Sequence, residues 1–323
     1  MSPNQHQNLD FKIKIAPFGP ASFRVEVTSS EGKATGTFKL PFDRAMLRNT
    51  LDGFRSNIKN SRDARSEDEV ARKISVGEGR AILSPRQLGE GLFREVFQGD
   101  IETLYRKVRK QSWRERIPLP FKFEIAPEAE ALINLPWEYL FDPRWGKRGD
   151  FLAFNEDTPV IRLWPGQEPR PPDTDPPLRV LLVSAVPRKH EEGLGNLERE
   201  IKAIETHLQQ LNRPDEVKVR IDHLKAASLD ELAEIVRNPE RTPHILHFIG
   251  HGDTGSLLFE EQHTGQVKSA SEETLTIMLR NASSLRLVVL NACRTARANN
   301  LQDQLGVAQS LADVGVPAVV AMQ

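Results

Sequence analysis

Apolar and polar residues alternate with period 2 in FKIKI and FRVEV near the start of the chain, the sign of strands with one buried face. TGTFKLPF predicts a third strand. From Asp43 the period changes: Leu47, Leu51, Phe54 and Ile58 fall on one face of a helix that Asp43 caps. Two further stripes, Leu88, Leu92, Phe93, Val96 and Phe97, then Ile101, Leu104, Tyr105 and Val108, predict helices separated near Gly99. LPFKFEIA predicts a strand after them. Residues 59–80 are charged and nearly devoid of large apolar side chains, which predicts a solvated excursion. LPWEYLFDPRWGKRGDFLAF gathers two of the four Trp, and aromatics in such a segment more often tack it onto a core than line a ligand groove.

Six prolines between residues 165 and 177 exclude a helix or a central strand there and mark a domain boundary. Beyond it the pattern becomes RVLLVSAV, a near-continuous apolar strand, then a helix through Leu197, Ile201, Ile204 and Leu208. Strand VKVRIDHL, helix LDELAEIV, strand HILHFIG, a hairpin around GSLLFEEQHTG, helix EETLTIMLRNA, strand LRLVVLNAC, helix LGVAQSLADVG and strand AVVAM follow. Strands that alternate with helices and are apolar on both faces form a mainly parallel, covered sheet. The expected fold class is therefore α/β. A mainly parallel sheet flanked by helices occupies 178–323, and a Pro-rich linker at 165–177 joins it to a smaller α+β domain at 1–164.

A length of 323 residues suits two domains, and 38% hydrophobic residues suffice for their cores. Lys and Arg total 44 against 45 Asp and Glu, so no net charge draws the chain to nucleic acid or an anionic membrane. Contact with nucleic acid is expected to be indirect at most. No apolar run approaches the roughly 18 residues of a membrane span. The start, MSPNQHQNLDFKIK, lacks the build of a secretory signal, so a cytoplasmic location is expected. Cys293 is the single cysteine, which excludes an internal disulfide and a cysteine-rich zinc site.

Reactive groups gather beyond the carboxyl ends of strands in a parallel sheet. HILHFIGHGD runs out through Gly250, His251 and Gly252, and RLVVLNACRT through Asn291, Ala292 and Cys293. If these successive strands are neighbours, His251 and the only cysteine stand side by side at the sheet's edge. That pairing suits a cysteine nucleophile with a histidine base. The backbone N–H groups of Gly252 and Cys293 are the natural oxyanion donors. Arg294 and Arg297 add positive charge that favours thiolate. A lone cysteine on an apolar strand is more often buried filler, but its place at the strand end beside a Gly-His-Gly turn reverses that reading. His247 shares a face with His251 and is placed to steady it, whereas His244 points the other way. The HxxHxxxH spacing thus leaves an incomplete ligand set, and no GxxxxGK[ST] phosphate loop exists. Neither metal nor cofactor is expected.

HILHFIGHG, the hairpin, LRLVVLNACRT and GVAQSLADVGVPAVVAMQ closely resemble the CHAT family of caspase-like cysteine peptidases, relatives of separase. The resemblance covers about 178–323, and LPWEYLFDP with TPVIRLW is similar to the segment that commonly precedes such domains. It implies a caspase-like fold with His251 as general base and Cys293 as nucleophile. It also implies an endopeptidase that cuts a protein substrate within a bacterial defence or cell-death system, with a regulatory amino-terminal half. Similar proteins continue past the strand matched by AVVAMQ with elements that wall the cleft, so the expectation is either a truncated carboxyl end or a wall supplied by another chain, with an activating partner protein. The rival expectation is a non-catalytic caspase-like scaffold.

Overall fold

The computed structural model describes residues 9–60, 82–133, 135–164, 176–185, 194–210, 218–253, 255–261, 264–294 and 306–321. The charged stretch beyond Asn60 and the Pro-rich segment before Pro176 lie outside these residues. The chain divides into two compact units, Met1–Pro165 and Gly166–Gln323.

In the first unit β1 (Phe11–Gly19), β2 (Ser22–Ser29) and β3 (Gly32–Phe38) form an antiparallel meander. β4 (Phe121–Ile125) and a later strand, Val160–Leu163, run parallel to β1, which lies at the centre of the five-stranded sheet. The alternation places Phe11, Ile13 and Ile15 in the core, while Lys12 and Lys14 reach Glu124 on the other face at 2.6 and 3.4 Å. The predicted helices form as α1 (Arg44–Asn60), α2 (Pro85–Val96) and α3 (Gly99–Glu115). Asp43 Oδ1 accepts the Met46 N–H at 2.7 Å, and a reciprocal Ser84–Gln87 box starts α2. Gly99, at φ +58°, turns the chain into α3. Phe93, Phe97, Tyr105 and Phe121 close over Phe11 in one aromatic core.

The Trp-rich segment is tacked onto the core through Trp137, Leu140, Phe141 and Leu152, while Phe154 is exposed. After the short helix α4 (Glu130–Ile133), Trp137 is fully buried, stacks on Phe123 at 5.0 Å and donates Nε1–H to the Leu132 carbonyl. Arg162 clamps it from the parallel strand: its guanidinium meets both Glu138 oxygens, at 2.8 and 2.7 Å, and the Ile133 and Leu135 carbonyls. The short strands β5 (Phe141–Asp142) and β6 (Asp150–Phe151) follow, so that Val160–Leu163 is β7. Tyr105 donates its hydroxyl to Asp142 Oδ2 at 2.6 Å; burial first, then the carboxylate, hold that phenol well above its usual range.

The second unit is built on parallel strands in the spatial order β9 (Val219–Leu224), β8 (Leu178–Ala185), β10 (Ile245–Asp253), β13 (Leu287–Arg294) and β14 (Ala318–Ala321). Val180, Leu182, Val219 and Ile249 pack on one face against Ile201, Ile204 and Leu208 of α5 (Leu194–Gln210). Leu181, Val183, Leu246, Phe248, Val288 and Leu290 pack on the other against α6 (Leu229–Arg237), α7 (Glu272–Leu279) and α8 (Gly306–Asp313). Burial on both faces explains why these strands read as continuous apolar runs. The hairpin expected around GSLLFEEQHTG forms, and its first strand also folds back on the strand before it. β11 (Ser256–Glu260) turns back against the end of β10, and β12 (Val267–Ser271) pairs with β11.

Candidate active site

β10 and β13 are neighbours, paired from Ile245↔Leu287 to Gly252↔Arg294, and in that register the partner of His251 is Cys293. Adjacent strands are about 4.8 Å apart, so the sheet brings the two predicted residues together at its carboxyl rim. Neither lies in a free turn beyond its strand. β11 pairs Gly252 with Leu257 and Asp253 with Ser256, which extends β10 through the Gly-His-Gly run. Gly252 is therefore flanked on both sides, by Leu257 and by Arg294, and is buried. A Cβ at Gly252 would stand 3.1 Å from Ala292 Cβ, so glycine here lets the rim close tightly. Arg294 lies in the ladder, and Arg297 lies outside the described residues.

His247 shares the α5 face with His251 but is four residues back, about 13 Å away at the rise of a strand, with Ile249 between them. It therefore does not support His251 by contact. Its Nε2 is buried with no hydrogen-bond partner, and burial pushes its pKa below the usual histidine range. His244 accepts the Arg179 backbone N–H at Nδ1, 3.0 Å away. Burial, then the Arg179 and Arg286 charges, lower its pKa too. Among the described residues, no three His, Cys, Asp or Glu stand close enough to hold a metal ion, and no helix is long and apolar enough to cross a membrane.

Sequence reasoning missed a second polar set on the α5 face. The Asn291 side chain donates its amide N–H to Glu200 Oε1 of α5. His223 Nδ1 lies 3.4 Å from Glu205 Oε1, and its Nε2 lies 2.6 Å from Ser184 Oγ. Burial lowers the His223 pKa against the opposing pull of Glu205. The one visible sign of these links was an Asn inside the apolar run LVVLNAC.

The profile of the CHAT domain family matches residues 87–323, close to three quarters of the chain. The chain belongs to the CHAT domain family. No curated protein matches it. The CHAT region begins inside α2, well before the start of β8, and so takes in β4, the Trp137 segment and β7 as well as the second unit. The family's caspase-like architecture, a mostly parallel sheet flanked by helices, is that of β8 to β14.

Proposed function

We propose that this CHAT protein is a cysteine endopeptidase acting on a protein substrate, with Cys293 as nucleophile and His251 as general base. The observation that carries the reading is the His251↔Cys293 register at the carboxyl rim of adjacent parallel strands. The Cys293 thiolate attacks the scissile carbonyl carbon, and the backbone N–H of Cys293 receives the oxyanion, since Gly252, laddered on both sides, has its N–H turned toward a neighbouring strand. The His251 imidazolium protonates the leaving amine as the C–N bond breaks, leaving a thioester. Water then attacks the thioester, His251 takes its proton, and the acid product leaves as the thiolate is restored. A partner protein is proposed to switch the enzyme on in a defence or cell-death setting, a reading supported by family resemblance alone.

The test is labelling by a peptidyl electrophile that requires an activated cysteine. Labelling is expected on Cys293, and His251→Ala is expected to slow it at least about a hundredfold, the usual share of a general base. Equal labelling of wild type and His251→Ala at the rate of a free thiol favours the scaffold reading instead.

A further inference from the structure

β14 pairs with β13 from Leu287↔Ala318 to Leu290↔Ala321, so among the described residues Asn291–Arg294 have ladder partners only on the β10 side. Asn291, the residue two before Cys293, is a poor strand former, and its side chain is taken up by Glu200 of α5. Glu200 is itself half-buried on a helix whose neighbouring positions, Ile201 and Ile204, pack on the sheet. A carboxylate drawn partly out of water and an amide inside a strand are each unfavourable alone, and they offset each other here. The same helix reaches the far side of the sheet through Glu205 and His223, so α5 is tied to β9 and to β13 across β8 and β10.

We propose that Asn291 and Glu200 are positioning residues for the peptidase. The Glu200 carboxylate holds the Asn291 side chain, and through it fixes β13 against β10 one pleat before the His251–Cys293 row. The tie acts through geometry, since Asn291 pairs with Ile249 and stands behind that row rather than in it. This proposal rests on the reading of Cys293 as the nucleophile.

The single cysteine makes the test direct, because alkylation of the full chain by iodoacetamide, followed by intact mass, reads Cys293 alone. The rate is measured across pH for wild type, Glu200→Ala, Glu200→Gln, Asn291→Ala and the Glu200→Ala/Asn291→Ala double variant. Alanine is a strong helix former, so Glu200→Ala keeps α5 intact, and thermal melts confirm folding. Wild type is expected to react faster than free cysteine near neutral pH. Glu200→Ala and Asn291→Ala are expected to be about tenfold slower, with profiles shifted toward that of free cysteine. The double variant should be no slower than either single one. Glu200→Gln retains an acceptor oxygen and is expected to match wild type. Unchanged rates in Glu200→Ala and Asn291→Ala beside an activated wild type overturn the positioning role alone. So does a Glu200→Gln variant as slow as Glu200→Ala, since charge rather than the tie then matters. A wild type that reacts as free cysteine overturns both this proposal and the nucleophile assignment.

Discussion

Gly250 shows how closely the strands beside the His251–Cys293 row approach one another. Its backbone is not in the left-handed region, so room rather than conformation requires a glycine there. A Cβ at this position would stand 2.5 Å from the Ala185 carbonyl oxygen and 3.0 Å from the Phe248 ring. The first is backbone of the paired strand β8 and the second is fully buried, so neither yields without moving the sheet. Gly250→Ala is expected to cost about 1–3 kcal/mol, the usual range for overpacking, measured as a shift in the urea midpoint. In sequence the same glycine looked like part of a turn, because Gly-His-Gly-Asp carries turn residues and nothing in it announces that β11 will fold back alongside.

The elements that were legible in sequence are those with a buried stripe. FKIKI and FRVEV gave β1 and β2 because one face is covered, and Leu88 to Phe97 gave α2 because its apolar side faces the aromatic core. β12 was not legible: Val267, Lys268 and Ser269 are all exposed, so burial imposes no alternation. The His251–Cys293 pairing was readable because both residues lie near the carboxyl ends of strands consecutive in the parallel sheet. The Glu200–Asn291 and Ser184–His223 contacts were not, since each joins residues far apart in sequence whose meeting depends on how α5 lies across the strands. The histidines of these elements share a pH dependence. Burial holds His223, His244 and His247 below the usual histidine range, so they stay neutral where the unfolded chain, with pKa about 6.5, takes up protons. The unfolded state then binds more protons, and stability is complete above that value and lost as pH falls through it toward the folded values. The melting temperature is expected to drop by a few degrees between about pH 7.5 and about pH 5.5. The slope should be shallower in His247→Leu, and an unchanged slope in that variant would show that His247 is not among its sources.

The boundary of the family match does not follow the boundary of the first unit. β4 and β7 lie inside the match at 87–323, whereas β1, β2 and β3 lie before it, yet β1 pairs directly with β4 and supplies Phe11, Ile13 and Ile15 to the shared core. A chain beginning at Gln87 is therefore expected to lose the fixed aromatic packing around Tyr105 and Phe121, seen as a collapse of the near-ultraviolet circular dichroism, while the β8–β14 sheet persists. Retention of the full aromatic signal would mean that β4 and β7 need no partner from the preceding segment.

The central position of β1 also bears on the order of events during synthesis. The β1–β2–β3 meander is local and is expected to form before Phe121–Ile125 has been made. Its inner edge then waits unpaired until Phe121–Ile125 has been made, and closing the long loop between Gly19 and Phe121 is slow because its entropy is lost before the pairing compensates. During that interval the nascent chain carries an open, apolar strand edge. Lys12 and Lys14, which meet Glu124 once the sheet is complete, are charges of the kind that discourage such an edge from pairing with another chain.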